Sequence, residues 1–227
     1  MKQAPSRHCE RSERPVRGAK SISQNPADFV RNTFELRSIH TAHITKIQHW
    51  RYNHTHTMLI LPQSFFSRDA EVVARDLLGR EFVYKNKDQI IHARITETEA
   101  YDGETDLACH ASKGRTKRTE GLYTPAGYFY VYLCYGMHWM LNIVVREKDY
   151  PAAVLIRGVE HISGPGRVTK YFGIDEKLHG LPVHKKSGYW FESGTPVPDT
   201  QIKRTPRIGV AYAGHIWSKK KYRFLIK

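Results

Sequence analysis

Two short alternating runs constrain this chain more than any other feature. Tyr128, Tyr130, Tyr132 and Cys134 fall on one face of an extended segment, with Phe129, Val131 and Leu133 on the other. Trp139–Val145 forms a second run, and Tyr135-Gly136-Met137-His138 separates the two. Strand-like runs joined by so short a glycine-containing link predict an antiparallel hairpin with an aromatic at its tip.

The rest of the chain supplies elements for that hairpin to join. Glu81–Tyr84, Gln89–Ala100, Ala152–Val159, Arg207–Tyr212 and Tyr222–Ile226 read as further strands. After Ser67-Arg68-Asp69, residues Ala70, Val73, Ala74, Leu77 and Leu78 keep helical spacing, and Gly79 suits the stop. Gly164–Phe172 reads as a glycine-rich turn entering a short helix, and His179–Thr205 as loop. Strands outnumber helices and the hairpins are local. The expected fold is therefore α+β, a single compact domain with a mostly antiparallel, curved sheet, flanking helices and a protruding hairpin.

Composition divides the chain near Thr57. Residues 1–57 hold ten basic and four acidic residues, six of the thirteen histidines and one glycine, and their apolar residues keep no period. They read as a poorly ordered basic extension, or as untranslated sequence ahead of a start at Met58. Of the formal charge of +14, about +6 lies in this stretch and +8 in residues 58–227, expected to be the folded domain. A basic balance points to a polyanionic partner, nucleic acid before membrane. Cys9, Cys109 and Cys134 match no disulfide or metal-ligand spacing, so a reducing, cytoplasmic setting is expected. No apolar run approaches the roughly 18 residues of a membrane span, and the first residues carry no apolar stretch of the secretory kind.

Chemistry concentrates at one strand end. Counting by twos from Ile91, Ala93 and Ile95 reaches Glu97, Glu99 and Tyr101, while His92, Arg94, Thr96 and Thr98 take the other face. A carboxylate on a partly buried face loses hydration, which raises its pKa and strengthens it as a base. Pairing with arginine or capping of backbone groups is the plainer alternative, and a bulge would break the parity. Tyr135 at the hairpin tip either wedges between stacked bases or folds back on the sheet. Asn142 either reads a base edge or ties a loop. Basic residues cluster at Lys113, Arg115, Lys117 and Arg118, at Arg167 behind Gly164-Pro165-Gly166, and at Lys219–Lys221.

With these residues in view, the sequence resembles the alkyladenine (3-methyladenine) DNA glycosylase family. The resemblance is carried by ITETEAYDGETDLACHASKGRTKRT at 95–119, YVYLCYGMHWMLNIVV at 130–145, VLIRGVE at 154–160, GPGRVTKYFGI at 164–174 and RIGVAYAG at 207–214. It covers about residues 62–227. It implies cleavage of the N-glycosidic bond of damaged purines in double-stranded DNA, without metal or cofactor. By resemblance, Glu99 is the general base and Arg157 its neighbour at the base and water site. Tyr101, His110 and Tyr132 stack on or hydrogen-bond the flipped base, and Asn142 lines the pocket and helps exclude guanine. Tyr135 intercalates, and Met137, Arg115 and Lys170 contact the DNA backbone. The family likeness further implies a monomer acting on the nucleoid, neither secreted nor membrane-bound. Only His161-Ile162-Ser163 stand where many relatives carry a longer helical insertion, and the first 57 residues have no family counterpart.

No lysine stands within the ETEAY motif, so a monofunctional enzyme that leaves an abasic site is expected. Two rivals remain at this level. One is a metal-dependent nuclease using Glu97, Glu99, Asp102 and Asp106, which EDTA would inactivate. The other is a silent nucleic-acid-binding module with steep salt dependence and no base release.

Overall fold

The computed structural model describes residues 58–227; the extension expected over 1–57 lies outside the described residues. The elements in order are helices α1 (Gln63–Phe66) and α2 (Ala70–Asp76), then strands β1 (Glu81–Lys85) and β2 (Ile90–Asp102). The hairpin follows as β3 (Phe129–Cys134) and β4 (His138–Val144), then β5 (Ala152–Val159), β6 (Ile162–Ser163) and helix α3 (Pro165–Tyr171). Strands β7 (Tyr189–Glu192) and β8 (Ile202–Thr205), helix α4 (Gly214–Lys219) and strand β9 (Arg223–Ile226) complete the order. Every strand pair is antiparallel. The order β3-β4-β5-β2-β1-β7, with β9 also on β2, makes a curled sheet, a half-barrel.

Two layers of side chains separate across this sheet. On one face, Ala70, Val73 and Ala74 of α2 and Val168 of α3 join Phe129, Val131, Leu141, Ile143, Val154 and Ile156 in the main core. The spacing of Ala70, Val73 and Ala74 makes this possible, because it puts these three side chains on one stripe, while Val72 stays at the surface. The opposite face carries a smaller aromatic layer of Tyr130, Val144 and Ala153, covered by short 3₁₀ segments at His110–Lys113 and Glu120–Tyr123. The alternation read in β3 is therefore a division between two cores.

β2 departs from the expected parity. Its register against β5 shifts between Ile95 and Glu97 and again between Glu97 and Thr98, which marks a bulge. Ile95 lies in the main core, but beyond the bulge Thr98 and Ala100 face α2, with the Thr98 hydroxyl donating to Ala74 O at 2.7 Å. Glu97, Glu99 and Tyr101 do not continue the apolar face of Ile91 and Ile95; they turn to the opposite one. Gly158 makes room for the bulge, because a Cβ there would lie 3.0 Å from Glu97 Cβ and 3.2 Å from Thr96 Oγ1.

Three further expectations change. His179–Thr205 is not all loop, since it contains β7 and β8. Arg207–Tyr212 is not a strand; it is irregular chain leading into a 3₁₀ turn at Ala211–Ala213. Helix α4 follows, unforeseen because the six residues GHIWSK are too few to show a helical period.

Candidate active site

The bulge in β2 determines where the site falls. Register pairs Tyr130 with Asn142, Asn142 with Leu155, Leu155 with Glu99 and Glu99 with Arg223, one rung across β3, β4, β5, β2 and β9. Directly paired residues share a face and stand about 5 Å apart. Glu99 and Asn142, 43 residues apart in sequence, are thus two positions apart in space on the aromatic side of the sheet.

Glu99 is fully buried. Its Oε1 accepts the Ile208 backbone N–H at 2.9 Å, and Arg157 Nη1 lies 3.5 Å from the same oxygen. Its Oε2 accepts the Tyr101 hydroxyl at 2.8 Å. Burial raises the Glu99 pKa, while Arg157, the Ile208 amide and the Tyr101 hydroxyl pull it down. The result is a desolvated carboxylate held in orientation at both oxygens, the state required of a general base.

Arg157 is held in turn. Its Nε donates to Glu97 Oε1 at 2.9 Å, and Arg223 Nε donates to the same oxygen. Glu97 therefore anchors two arginines. It is the plain ion pair that its sequence left open, while Glu99 keeps its arginine at longer range.

The aromatic wall stands beside this pair of acids. The His110 ring meets the Tyr132 ring edge-on, with centroids 4.5 Å apart, and Tyr130 lies 5.5 Å from Tyr132. His110 Nδ1 is 3.1 Å from the Tyr130 hydroxyl oxygen, and that hydroxyl donates to Arg118 O at 3.2 Å. A hydroxyl has one proton, so with it directed to Arg118 O the oxygen accepts from His110 Nδ1–H, and Nε2 is left with its lone pair. Burial first, then Arg118 and Lys113, push the His110 pKa down to about 4, so the imidazole is neutral at pH 7. Asn142 is buried and its Nδ2 donates to Tyr130 O at 3.1 Å and Met140 O at 3.3 Å, which fixes the amide's orientation.

The other expected residues lie apart. Tyr135 is 85% exposed and Met137 71% exposed at the hairpin tip. Tyr135 and Gly136 have φ of 52° and 67°, and Met137 N–H donates to Cys134 O, so the tip has the sign pattern of a type I′ turn. Tyr135 does not fold back on the sheet. Arg115 is bound to Glu120 at 2.7 Å and Asp149 at 3.1 Å and lies over the Tyr123 ring, so its charge is already matched. Lys170 is exposed on α3.

Three participants were not foreseen: the Ile208 amide on Glu99, Arg223 on Glu97, and Arg207. The Arg207 guanidinium is buried against Asp106 and lies 4.7 Å from the Tyr101 ring centroid. Asp102 is 3.4 Å from Arg146. The four acids of the nuclease alternative are thus each turned to an arginine, and among the described residues no group of three or more potential metal ligands converges.

The model of the methylpurine-DNA glycosylase family matches residues 64–227. The chain belongs to that family. It is a DNA glycosylase, a hydrolase acting on N-glycosyl bonds of the 3-methyladenine DNA glycosylase type. Curated relatives named as 3-methyladenine DNA glycosylases include one from Myxococcus xanthus, 44% identical over 181 residues, covering 74% of this chain and 90% of the relative. Another from Legionella pneumophila is 43% identical over 174 residues, covering 74% and 94%. One from Rickettsia rickettsii is 49% identical over 161 residues, covering 67% and 84%. The glycosylase carries no helix, among its described residues, long and apolar enough to cross a membrane.

Proposed function

We propose that this glycosylase extrudes alkylated or deaminated purines of the 3-methyladenine class from duplex DNA and hydrolyses the base–sugar bond, leaving an abasic site. The observation that carries this is Glu99, a fully buried carboxylate on the same sheet face as a neutral imidazole and two tyrosines, adjoining a hairpin whose tip presents Tyr135 to solvent. In this scheme Tyr135 enters the base stack in place of the damaged nucleotide, since a base inside a duplex is out of reach of any side chain. Tyr132 and the face of Tyr101 not covered by Arg207 attract a purine made cationic by alkylation. A neutral His110 does not repel that charge, and its Nε2 lone pair suits the amino group of an alkylated adenine. Asn142, with its amide fixed by two backbone carbonyls, presents one rigid edge to the base.

Glu99 then takes a proton from the attacking water and stabilises positive charge developing on the sugar as the base departs. Arg157 orients that water from its position 3.5 Å from Oε1. Met137, Arg115 and Lys170 stand as backbone contacts, with Arg115 needing to exchange Glu120 and Asp149 for phosphate. The enzyme acts as a monomer and cuts no strand.

Duplexes carrying 3-methyladenine, 7-methylguanine, hypoxanthine or ethenoadenine, incubated in EDTA, test the proposal. Free base should appear, with strand breaks only after alkali. Borohydride trapping of a covalent enzyme–DNA adduct would contradict the monofunctional mechanism, and loss of activity in EDTA would favour the nuclease.

A further inference from the structure

The Asp106–Arg207 pair has no role in the scheme above, yet it lies directly behind Glu99. Both side chains are fully buried. Arg207 forks onto Asp106 through Nη1 and Nη2, and Nη1 also donates to Ala100 O at 2.9 Å. Its Nε is buried with no hydrogen-bond partner. A guanidinium buried with one donor unsatisfied is a costly arrangement, and the site around it gives a reason for it.

Both hydrogen bonds on the Glu99 carboxylate come from immediate neighbours of Arg207. Ile208, the next residue, supplies the N–H on Oε1, and Tyr101, whose ring the guanidinium covers, supplies the O–H on Oε2. Residues 206–209 belong to no helix or strand, so no ladder fixes the direction of the Ile208 amide. The buried fork one residue away does fix it. We propose that Arg207, locked by Asp106, is a positioning residue that sets the orientation of the Glu99 carboxylate through the Ile208 amide and the Tyr101 ring. The inference rests on the reading of Glu99 as the base.

The groups facing Glu99 are Tyr101 from β2, Arg157 from β5, Tyr132 from β3, and Arg207 with the Ile208 amide from the segment after β8; Arg223 of β9 is spent on Glu97. Loss of the fork frees the Ile208 amide and removes one positive charge. Both changes destabilise the anion, so the carboxylate titrates at higher pH.

The test is the acid limb of single-turnover base release from a hypoxanthine duplex, using the full chain in saturating excess so that the rate is independent of the folded fraction. R207M removes the fork. D106L/R207M removes the whole pair and leaves no buried charge unmatched, so it keeps the test available if R207M fails to fold. In R207M the limb should move up by about one pH unit. In D106L/R207M, where the Asp106 charge is lost as well, it should move up by about half as much through the freed Ile208 amide. In both the plateau rate should fall about tenfold or more, with unchanged affinity for the damaged duplex. A limb at its wild-type position, whatever the rate, overturns the inference and leaves the pair a support of the fold. E99Q run in parallel separates the two levels. Wild-type release by E99Q refutes the base itself, whereas an inactive E99Q with an unmoved Arg207 limb refutes only the positioning role.

Discussion

The carboxylate face of the sheet and the tip of the β3–β4 hairpin use their residues in opposite ways. At the first, Glu97, Glu99, Arg157, Arg207 and Tyr101 bond to one another, and Glu99 has no exposed surface. At the second, Tyr135 stands 85% exposed on a backbone with φ of 52°. A left-handed tyrosine costs roughly 1–2 kcal/mol, and an exposed ring recovers little of that from its own protein. The first region is organised before DNA arrives, and the second is organised for something outside the molecule. Under the proposed function the difference separates chemistry from access: the acid face is assigned the bond-breaking step, and the tip is assigned the delivery of the bond to it.

Breaking the first half of that division should give the largest effect. Glu99→Gln keeps the shape of the side chain and removes the base, so base release should fall by about 10²–10⁴-fold while damaged-duplex affinity persists in a gel-shift titration. Near wild-type single-turnover rates would place the base elsewhere. Breaking the second half should cost less. Tyr135→Ser gives up a wedge that offsets an unstacking cost of a few kcal/mol, so release from a fully paired duplex should fall about 10–100-fold. The fluorescence of 2-aminopurine next to the lesion should fall with it, while thermal stability stays unchanged; an unchanged signal would remove Tyr135 from extrusion.

These two regions were also unequally legible in the sequence. The tip is local: alternation on both sides of Tyr135-Gly136 announces it within eighteen residues, 128–145. The acid face is not. Glu99, Tyr101, Asn142 and Ile208 all stand in segments that resemble the family, but nothing local tells that the Ile208 amide meets Glu99 across 109 residues, and Arg223, 124 residues from Glu99, lies outside those segments. Asp106 is an unremarkable loop acid until the fold brings Arg207 to it. Parity counting along β2 failed for a physical reason, since a bulge adds a residue without altering composition. The strands β7 and β8 hid among Pro, Gly and Lys because each has only four residues.

Smaller perturbations sharpen the comparison. Gly158→Ala places a methyl 3.0 Å from Glu97 Cβ and presses on the acid that holds Arg157. Base release should fall about three- to tenfold with Tyr135-dependent fluorescence unaltered; a changed fluorescence would mean that the two regions are coupled. Glu81 supplies a control, a buried acid away from the site. Burial first, with Glu160 and Glu192, raises its pKa to about 7, against Arg94. The folded state thus holds this proton more tightly than the unfolded one. Its stabilising contribution is full below the ordinary glutamate value of about 4.3 and is lost as pH rises through about 7. Glu81→Gln should remove that slope and raise stability at pH 8 by on the order of 1–3 kcal/mol, read as the urea midpoint against pH, with base release unchanged. A variant slower in base release would show that buried acids outside the rung also serve the chemistry.

The division between chemistry and access is tested most directly by one paired assay. Wild type, E99Q and Y135S are each given hypoxanthine in a full duplex and hypoxanthine opposite an abasic gap, where no pairing opposes extrusion. The gap should restore Y135S to near wild-type release and leave E99Q inactive on both substrates. Rescue of E99Q by the gap, or a Y135S defect that persists there, would contradict it.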